Sequence, residues 1–247
     1  MKLRYINLCM NGASGFDTYF ENCYCYNTRF INHFLSIQVR KLNIQTEDFN
    51  MISIEPLTSS KYECKIISDN TLKVHLPFDK DKYEKMNSFE RTRYNLELIN
   101  KAYDLAHKEK FFDDVQELFK LNKLFETLKY KNEWLHKKKV YKELNLEVYL
   151  NCYFTINQFE LKISAYDLKS KLPFLEEKTL LKTWPDEVFF DYKFKDIDVV
   201  KDKLIITNKF DEKNFIIDLE NLFKGRLKYK EKDKDKEEIF QCYIERD

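Results

Sequence analysis

Glycine and proline are scarce in this chain, three and four among 247 residues. Glycine supplies the positive-φ turns and close backbone approaches on which phosphate-cradling loops depend. Three glycines leave little room for the common nucleotide-binding folds. No charge of one sign prevails either: 43 Lys and Arg face 42 Asp and Glu. A net charge of +1 provides no global field toward a polyanion or an anionic membrane surface. Nor does any stretch reach the roughly 20 apolar residues that a spanning helix needs. The apolar run after Lys2 and Arg4 is interrupted by Asn7 and Asn11, too short for the apolar core of about 7–15 residues in an export signal. The expectation is a soluble, cytoplasmic chain without membrane contact, whose six cysteines are reduced thiols rather than a disulfide framework.

Apolar material, by contrast, is plentiful. Hydrophobic residues make up 43% of the chain and aromatic residues 16%, with 21 Phe and 16 Tyr, enough for a packed core and against disorder. The length suits one large domain or two modest ones. Composition changes near residue 79, with 8 basic and 7 acidic groups before it and 35 of each after it. This predicts a β-rich N-terminal part over residues 1–78 and an α+β part over 79–247, either separate or continuous as one domain.

Periodicity gives the elements. Residues 3–10 read as a strand, followed by the polar loop Asn11-Gly12-Ala13-Ser14-Gly15; Phe30 to Val39 is apolar and β-branched in its second half, in keeping with a mainly β N-terminal third, and Met51 to Ile54 reads as a short strand. Tyr62, Cys64 and Ile66 alternate with polar neighbours, Asp69-Asn70 turns the chain, and Leu72, Val74 and Leu76 alternate in return: a hairpin. Asn87 with Glu90 is a capping-box signature opening a helix that carries Leu96, Ile99, Tyr103 and Ala106. A second helix opens at Asp114 with Leu118, Leu121, Leu124, Phe125 and Leu128 on one stripe, and a third covers Trp134 to Leu144. From Leu146 to Ile156 the period is two, with Asn157-Gln158 leading into Phe159 to Ala165. Further strands are expected at Val188–Phe194, Leu204–Thr207, Phe215–Leu219, Arg226–Tyr229 and Ile239–Ile244, with the run Lys228 to Glu238 a solvated extension. The fold class is therefore α+β: an antiparallel β meander with a packed helical pair, plus the β-rich N-terminal part.

No constellation names a reaction. The Asn11–Gly15 loop matches neither the Walker nor the dinucleotide pattern. Cys23-x-Cys25 with His33 lacks the second ligand pair of a structural zinc site. His33, His75, His107 and His136 fall on separate elements, none beside a Ser or Cys in a nucleophile motif. The expectation is no enzyme, no metal and no cofactor. The basic stretch Trp134-Leu135-His136-Lys137-Lys138-Lys139-Val140-Tyr141-Lys142 has the aromatic and cationic makeup of a nucleic-acid grip, but balanced total charge disfavours nucleic acid as partner.

The segment Lys131-Asn132-Glu133-Trp134-Leu135-His136-Lys137-Lys138-Lys139, the strand Leu146–Ile156 and the turn Trp184-Pro185-Asp186-Glu187 resemble, in general character, the immunity proteins with which bacteria neutralise polymorphic or contact-delivered toxins. The resemblance implies a cytosolic inhibitor that occludes a protein toxin and performs no chemistry. Its candidate partner-binding residues here are Trp134, His136, Lys137, Lys138, Lys139 and Trp184. The alternatives are a nucleic-acid-associated protein using residues 134–142 and an enzyme whose site assembles from scattered residues near Asn11–Gly15.

Overall fold

The computed structural model describes residues 1–67 and 69–232. The expected strand Ile239–Ile244, most of the charged run Lys228 to Glu238, and Cys242 lie outside the described residues. The described chain is α+β and divides into two compact units, one of Met1–Asn132 and one beginning at Glu133. The change of composition at residue 79 falls inside the first unit.

The first unit opens with strand β1 (Tyr5–Leu8), helix α1 (Thr18–Leu42) and strand β2 (Met51–Leu57), followed by β3 (Glu63–Ile67) and β4 (Thr71–Pro77). The strand order is β1-β2-β4-β3; β1, β2 and β4 run parallel and β3 pairs antiparallel with β4. The hairpin β3–β4 forms as its alternation predicts, with Asn70 in the left-handed region at φ 57°.

Helix α1 stands where a mainly β N-terminal part was expected, and this corrects the reading of Phe30–Val39. Asp17 caps it by accepting from Phe20 N, Glu21 lies in its first turn, Arg40 and Lys41 lie in its last, and Asn43 closes it in the left-handed conformation. Its buried stripe Phe20, Tyr24, Ile31, Leu35 and Val39 follows helical spacing. A second stripe, Thr28, Asn32 and Ser36, is polar yet buried, because it serves the open edge of β1. Ser36 Oγ accepts from Ile6 N (3.1 Å), Asn32 Oδ1 accepts from Leu8 N (2.9 Å), and Thr28 Oγ1 donates to Leu8 O (2.6 Å). Edge-strand groups that would otherwise go unpaired are thus satisfied by helix side chains at i, i+4 and i+8.

Three helices complete this unit: α2 (Lys80–Glu84), α3 (Ser88–Lys108) and α4 (Gln116–Thr127). The capping box at Asn87 and Glu90 is present, with both reciprocal hydrogen bonds made. The pair α3 and α4 packs against α1 and β4 inside this unit. The sheet of this unit offers the helices the buried apolar side chains Leu72, Val74 and Leu76 of β4. On α4, Leu118, Leu121 and Phe125 are buried, while Leu124 and Leu128 are 41% and 42% exposed and lie off the buried stripe.

The second unit holds two antiparallel meanders. The first consists of β5 (Asn132–Tyr141), β6 (Leu146–Phe154), β7 (Phe159–Asp167) and β8 (Pro173–Thr183), with a short 3₁₀ turn at Lys142–Leu144. After helix α5 (Glu187–Phe190) come β9 (Asp196–Val200), β10 (Lys203–Thr207), β11 (Lys213–Asp218), helix α6 (Leu219–Phe223) and β12 (Tyr229–Glu231). The order β12-β11-β10-β9 gives the second meander. The hairpin β6–β7 has the expected register, Leu146 opposite Asp167 and Phe154 opposite Phe159. Strand β5 replaces the helix expected over Trp134–Leu144, because pairing along β6 satisfies its backbone and overrides a run of helix-forming lysines. Helix α5 likewise replaces the start of the strand expected at Val188–Phe194: Asp186 caps it by accepting from Val188 N (3.0 Å).

Candidate docking surface

Burial of one side chain exposes its neighbours. Phe190, at the end of α5, is sunk into the second unit's core, stacked on Phe159 with ring centroids 3.6 Å apart and edge-on to Phe154 at 5.2 Å. Because α5 is a single tight turn, anchoring Phe190 inward directs Val188 and Phe189 outward, 71% and 38% exposed. Beside it lies the turn between β10 and β11. Asn208 Oδ1 accepts from Phe210 N and Glu212 N (both 2.9 Å), and Asp211 takes the left-handed conformation. That geometry projects Phe210 into solvent, 71% exposed.

The two segments are tied together. Lys209 N donates to Tyr192 O (2.9 Å), Lys209 Nζ pairs with Asp191, and the Tyr192 and Phe210 rings lie 6.4 Å apart. Lys195 Nζ meets Asp211 at 2.7 Å. Tyr192 and Phe210 thus lie side by side next to the ion pairs Lys209–Asp191 and Lys195–Asp211, with the exposed Val188 and Phe189 only a few residues earlier in the chain. Apolar centres with charged rims are what protein interfaces present. Sequence reasoning missed this surface, since Val188, Phe189 and Phe210 have the composition of core residues; only the turn chemistry at Asp186 and Asn208 marks them.

Of the residues named from sequence, Trp184 lies just before the Asp186 cap and is half-buried, its carbonyl accepting from Asp186 N (2.8 Å). Trp134 and His136 sit on β5, half-buried, with Trp134 6.1 Å from the Phe159 ring and His136 edge-on to Phe194 at 4.7 Å. Burial lowers the His136 pKa, favouring the neutral ring. The three lysines are each answered by acids. Lys137 and Lys139 reach Asp196 at 3.2 and 3.1 Å. Lys138 pairs with Glu147, which Lys171 also meets at 2.9 Å. Between these two ammonium groups the Glu147 carboxyl is held down at about 2. Lys137, Lys138 and Lys139 are thus each engaged in ion pairs within the protein.

The first unit contains two polar arrangements of interest. In the Asn11–Gly15 loop, Ala13 N donates to Asn11 Oδ1 (3.0 Å), Ser14 N to Asn11 O (2.8 Å), and Phe16 N to Ser14 Oγ (3.1 Å). Ser14 Oγ donates to Glu21, and Thr58 N donates to Ser14 O (2.9 Å). These amides serve the loop itself rather than an anion. Gly15 is required there: its φ is 85°, and a Cβ would overlap Thr58 Oγ1. Across β2, β3 and β4, His75 Nε2 meets Glu55 Oε2 at 3.2 Å, His75 Nδ1 meets Glu63 Oε2 at 2.9 Å, and Lys73 meets Glu55 at 2.8 Å. Register alone assembles this network, since Glu55, His75 and Glu63 are cross-strand partners. With a carboxylate within hydrogen-bond reach of each nitrogen, the ring links three strands. A cleft of about 600 Å³ between α2 and α3 includes Glu90 and Arg91, both committed: Glu90 to the cap, Arg91 to the carbonyls of Tyr83 (3.3 Å) and Glu84 (3.1 Å).

Cys9 and Cys25 form a disulfide, which corrects the expectation of six free thiols. The fold brings the end of β1 against the second turn of α1, with Cα atoms 4.7 Å apart, a proximity that spacing in the sequence does not reveal. Cys23 and Cys152 are buried, and Cys64 is half-buried. Burial pushes the Cys64 thiol up to about 12. Among the described residues no group of three or more His, Cys, Asp or Glu is placed to hold a metal ion, and no helix is long and apolar enough to cross a membrane.

Neither the family models, nor the curated proteins, nor the solved structures give a match to this chain. The docking surface therefore rests on its own geometry.

Proposed function

We propose that this chain is a non-enzymatic binding protein that docks a protein partner through the Val188–Phe210 surface, and that the partner is a toxin neutralised by occlusion in the bacterial cytoplasm. The observation that carries the reading is the outward projection of Val188 and Phe210, each 71% exposed, from two segments held together by backbone and ion-pair contacts. Exposed aromatic anchors inside a polar rim dominate interface energetics, and a few of them supply most of the binding energy. An occluding interface would bury roughly 1,200–2,000 Å² in total, of which this surface would form the centre. The choice of a toxin as partner follows from the resemblance to immunity proteins. Co-expression with the toxin-like product of a neighbouring gene tests it. Wild-type chain is expected to restore growth and to co-purify with that product in defined stoichiometry. A neighbouring product that is harmless, or that kills equally in the chain's presence, would refute the toxin assignment.

A further inference from the structure

We propose that Cys9 and Cys25 form a reversible thiol–disulfide switch that pins and releases the loop of residues 10–17, with an external low-molecular-weight disulfide or thiol as co-reactant. This inference is independent of the docking surface. Three features carry it. Both residues are half-buried, so a small thiol can reach the bond, whereas Cys23 and Cys152 are closed off. Both sulfurs lie 3.2 Å from the carbonyl oxygen of Met10, an acceptor that either thiol can use once reduced. Each thiol therefore keeps a hydrogen-bond acceptor within reach after reduction. Finally, α1 is held to β1 beyond the bond, through Thr28, Asn32 and Ser36, so reduction leaves the helix docked. What reduction frees is the segment between the cysteines, which the bond closes into a loop with a sequence separation of 16.

The chemistry balances as two exchanges. One cysteine, as thiolate, attacks a sulfur of an external disulfide, forming a mixed disulfide and expelling one external thiolate, which takes up a proton. The second cysteine, as thiolate, then attacks the protein-bound sulfur, forming Cys9–Cys25 and expelling the other external thiolate. Two protein thiols become one disulfide and one external disulfide becomes two thiols.

The test equilibrates the full chain in buffers of graded reduced-to-oxidised glutathione ratio, quenches in acid, alkylates with N-ethylmaleimide and maps the labelled cysteines by mass spectrometry. Cys9 and Cys25 are expected to gain and lose label together, in one two-electron transition without denaturant, while Cys23 and Cys152 stay unlabelled until the chain is unfolded. A bond that resists glutathione until denaturant is added would make it a permanent staple and overturn the proposal. So would two thiols that stay separate in the most oxidising buffer. Limited proteolysis supplies a second readout: cleavage within residues 10–17 is expected to accelerate several-fold on reduction. The Cys9→Ser/Cys25→Ser variant should be cut at the reduced rate in either buffer. Cleavage of wild-type chain at one rate in both buffers would equally overturn the switch, whether or not the variant folds.

Discussion

Asn32→Ala probes the contact between α1 and β1. In the native structure Asn32 is buried; its Oδ1 accepts from Leu8 N at 2.9 Å and its Nδ2 donates to Leu8 O at 3.1 Å. Alanine removes both. Leu8 O keeps a donor, because Thr28 Oγ1 reaches it at 2.6 Å. Leu8 N has no such substitute, and an orphaned buried amide costs about 1–3 kcal/mol. Loss of the side chain's packing adds to that, so a total of roughly 2–4 kcal/mol is expected. Urea unfolding should be followed by far-ultraviolet circular dichroism, since both tryptophans, Trp134 and Trp184, lie in the second unit and do not report directly on the first. Amide exchange at Leu8 should accelerate in parallel. The double variant Thr28→Val/Asn32→Ala should cost more than either single change, since Leu8 O then loses its last side-chain donor. A stability change below half a kcal/mol, with the Leu8 amide still protected, would show that α1 does not cap the edge of β1.

Three further outcomes follow from burial and charge. Leu121→Ala should cost about 2–5 kcal/mol, whereas Leu124→Ala, one turn face away and 41% exposed, should change stability by less than half a kcal/mol; equal effects in urea titrations would contradict the assigned stripe. The Tyr103 hydroxyl is buried on α3 with no hydrogen-bond partner among the described residues, and its pKa is raised by burial, so Tyr103→Phe should be neutral or stabilising by up to about 1 kcal/mol; a clear loss would mean that the hydroxyl is satisfied. Glu147, held at about 2 by Lys138 and Lys171, titrates near 4.3 in an unfolded chain, so its stabilising effect is complete above that value and disappears as pH falls toward 2. The stability advantage of wild type over Glu147→Gln should thus be largest near neutrality and shrink through pH 4 to 2 in thermal melts; a gap independent of pH would argue against the ion pairs.

What was legible in the sequence was local. The β3–β4 and β6–β7 hairpins and the Asn87–Glu90 box are written in residues a few positions apart, and each forms as read. Helix α1 was not legible because its aromatic and β-branched residues mimic strands. Its Thr28, Asn32 and Ser36 also interrupt the apolar stripe for the sake of a partner strand some 20–30 residues upstream. Strand β5 depends on β6 in the same way, and its lysines depend on Asp196 and Glu147, acids from other elements. The Glu55–His75–Glu63 network requires the register of three strands, and the Cys9–Cys25 bond the packing of α1 on β1. As for the docking surface, Phe189 and Phe190 are chemically identical neighbours. Only the turn of α5 decides that one is buried and the other half-exposed.

The proposed docking is tested most directly by calorimetric titration of the purified chain, wild type and Phe210→Asp, against the purified product of a neighbouring toxin-like gene. Phe210 is exposed and leaves the core untouched when replaced, so the unfolding midpoint should not move. A central aromatic anchor contributes about 2 kcal/mol or more, which predicts a Kd raised by roughly 30-fold or beyond. Equal affinity of the two proteins, with both fully folded, would contradict the assignment of this surface.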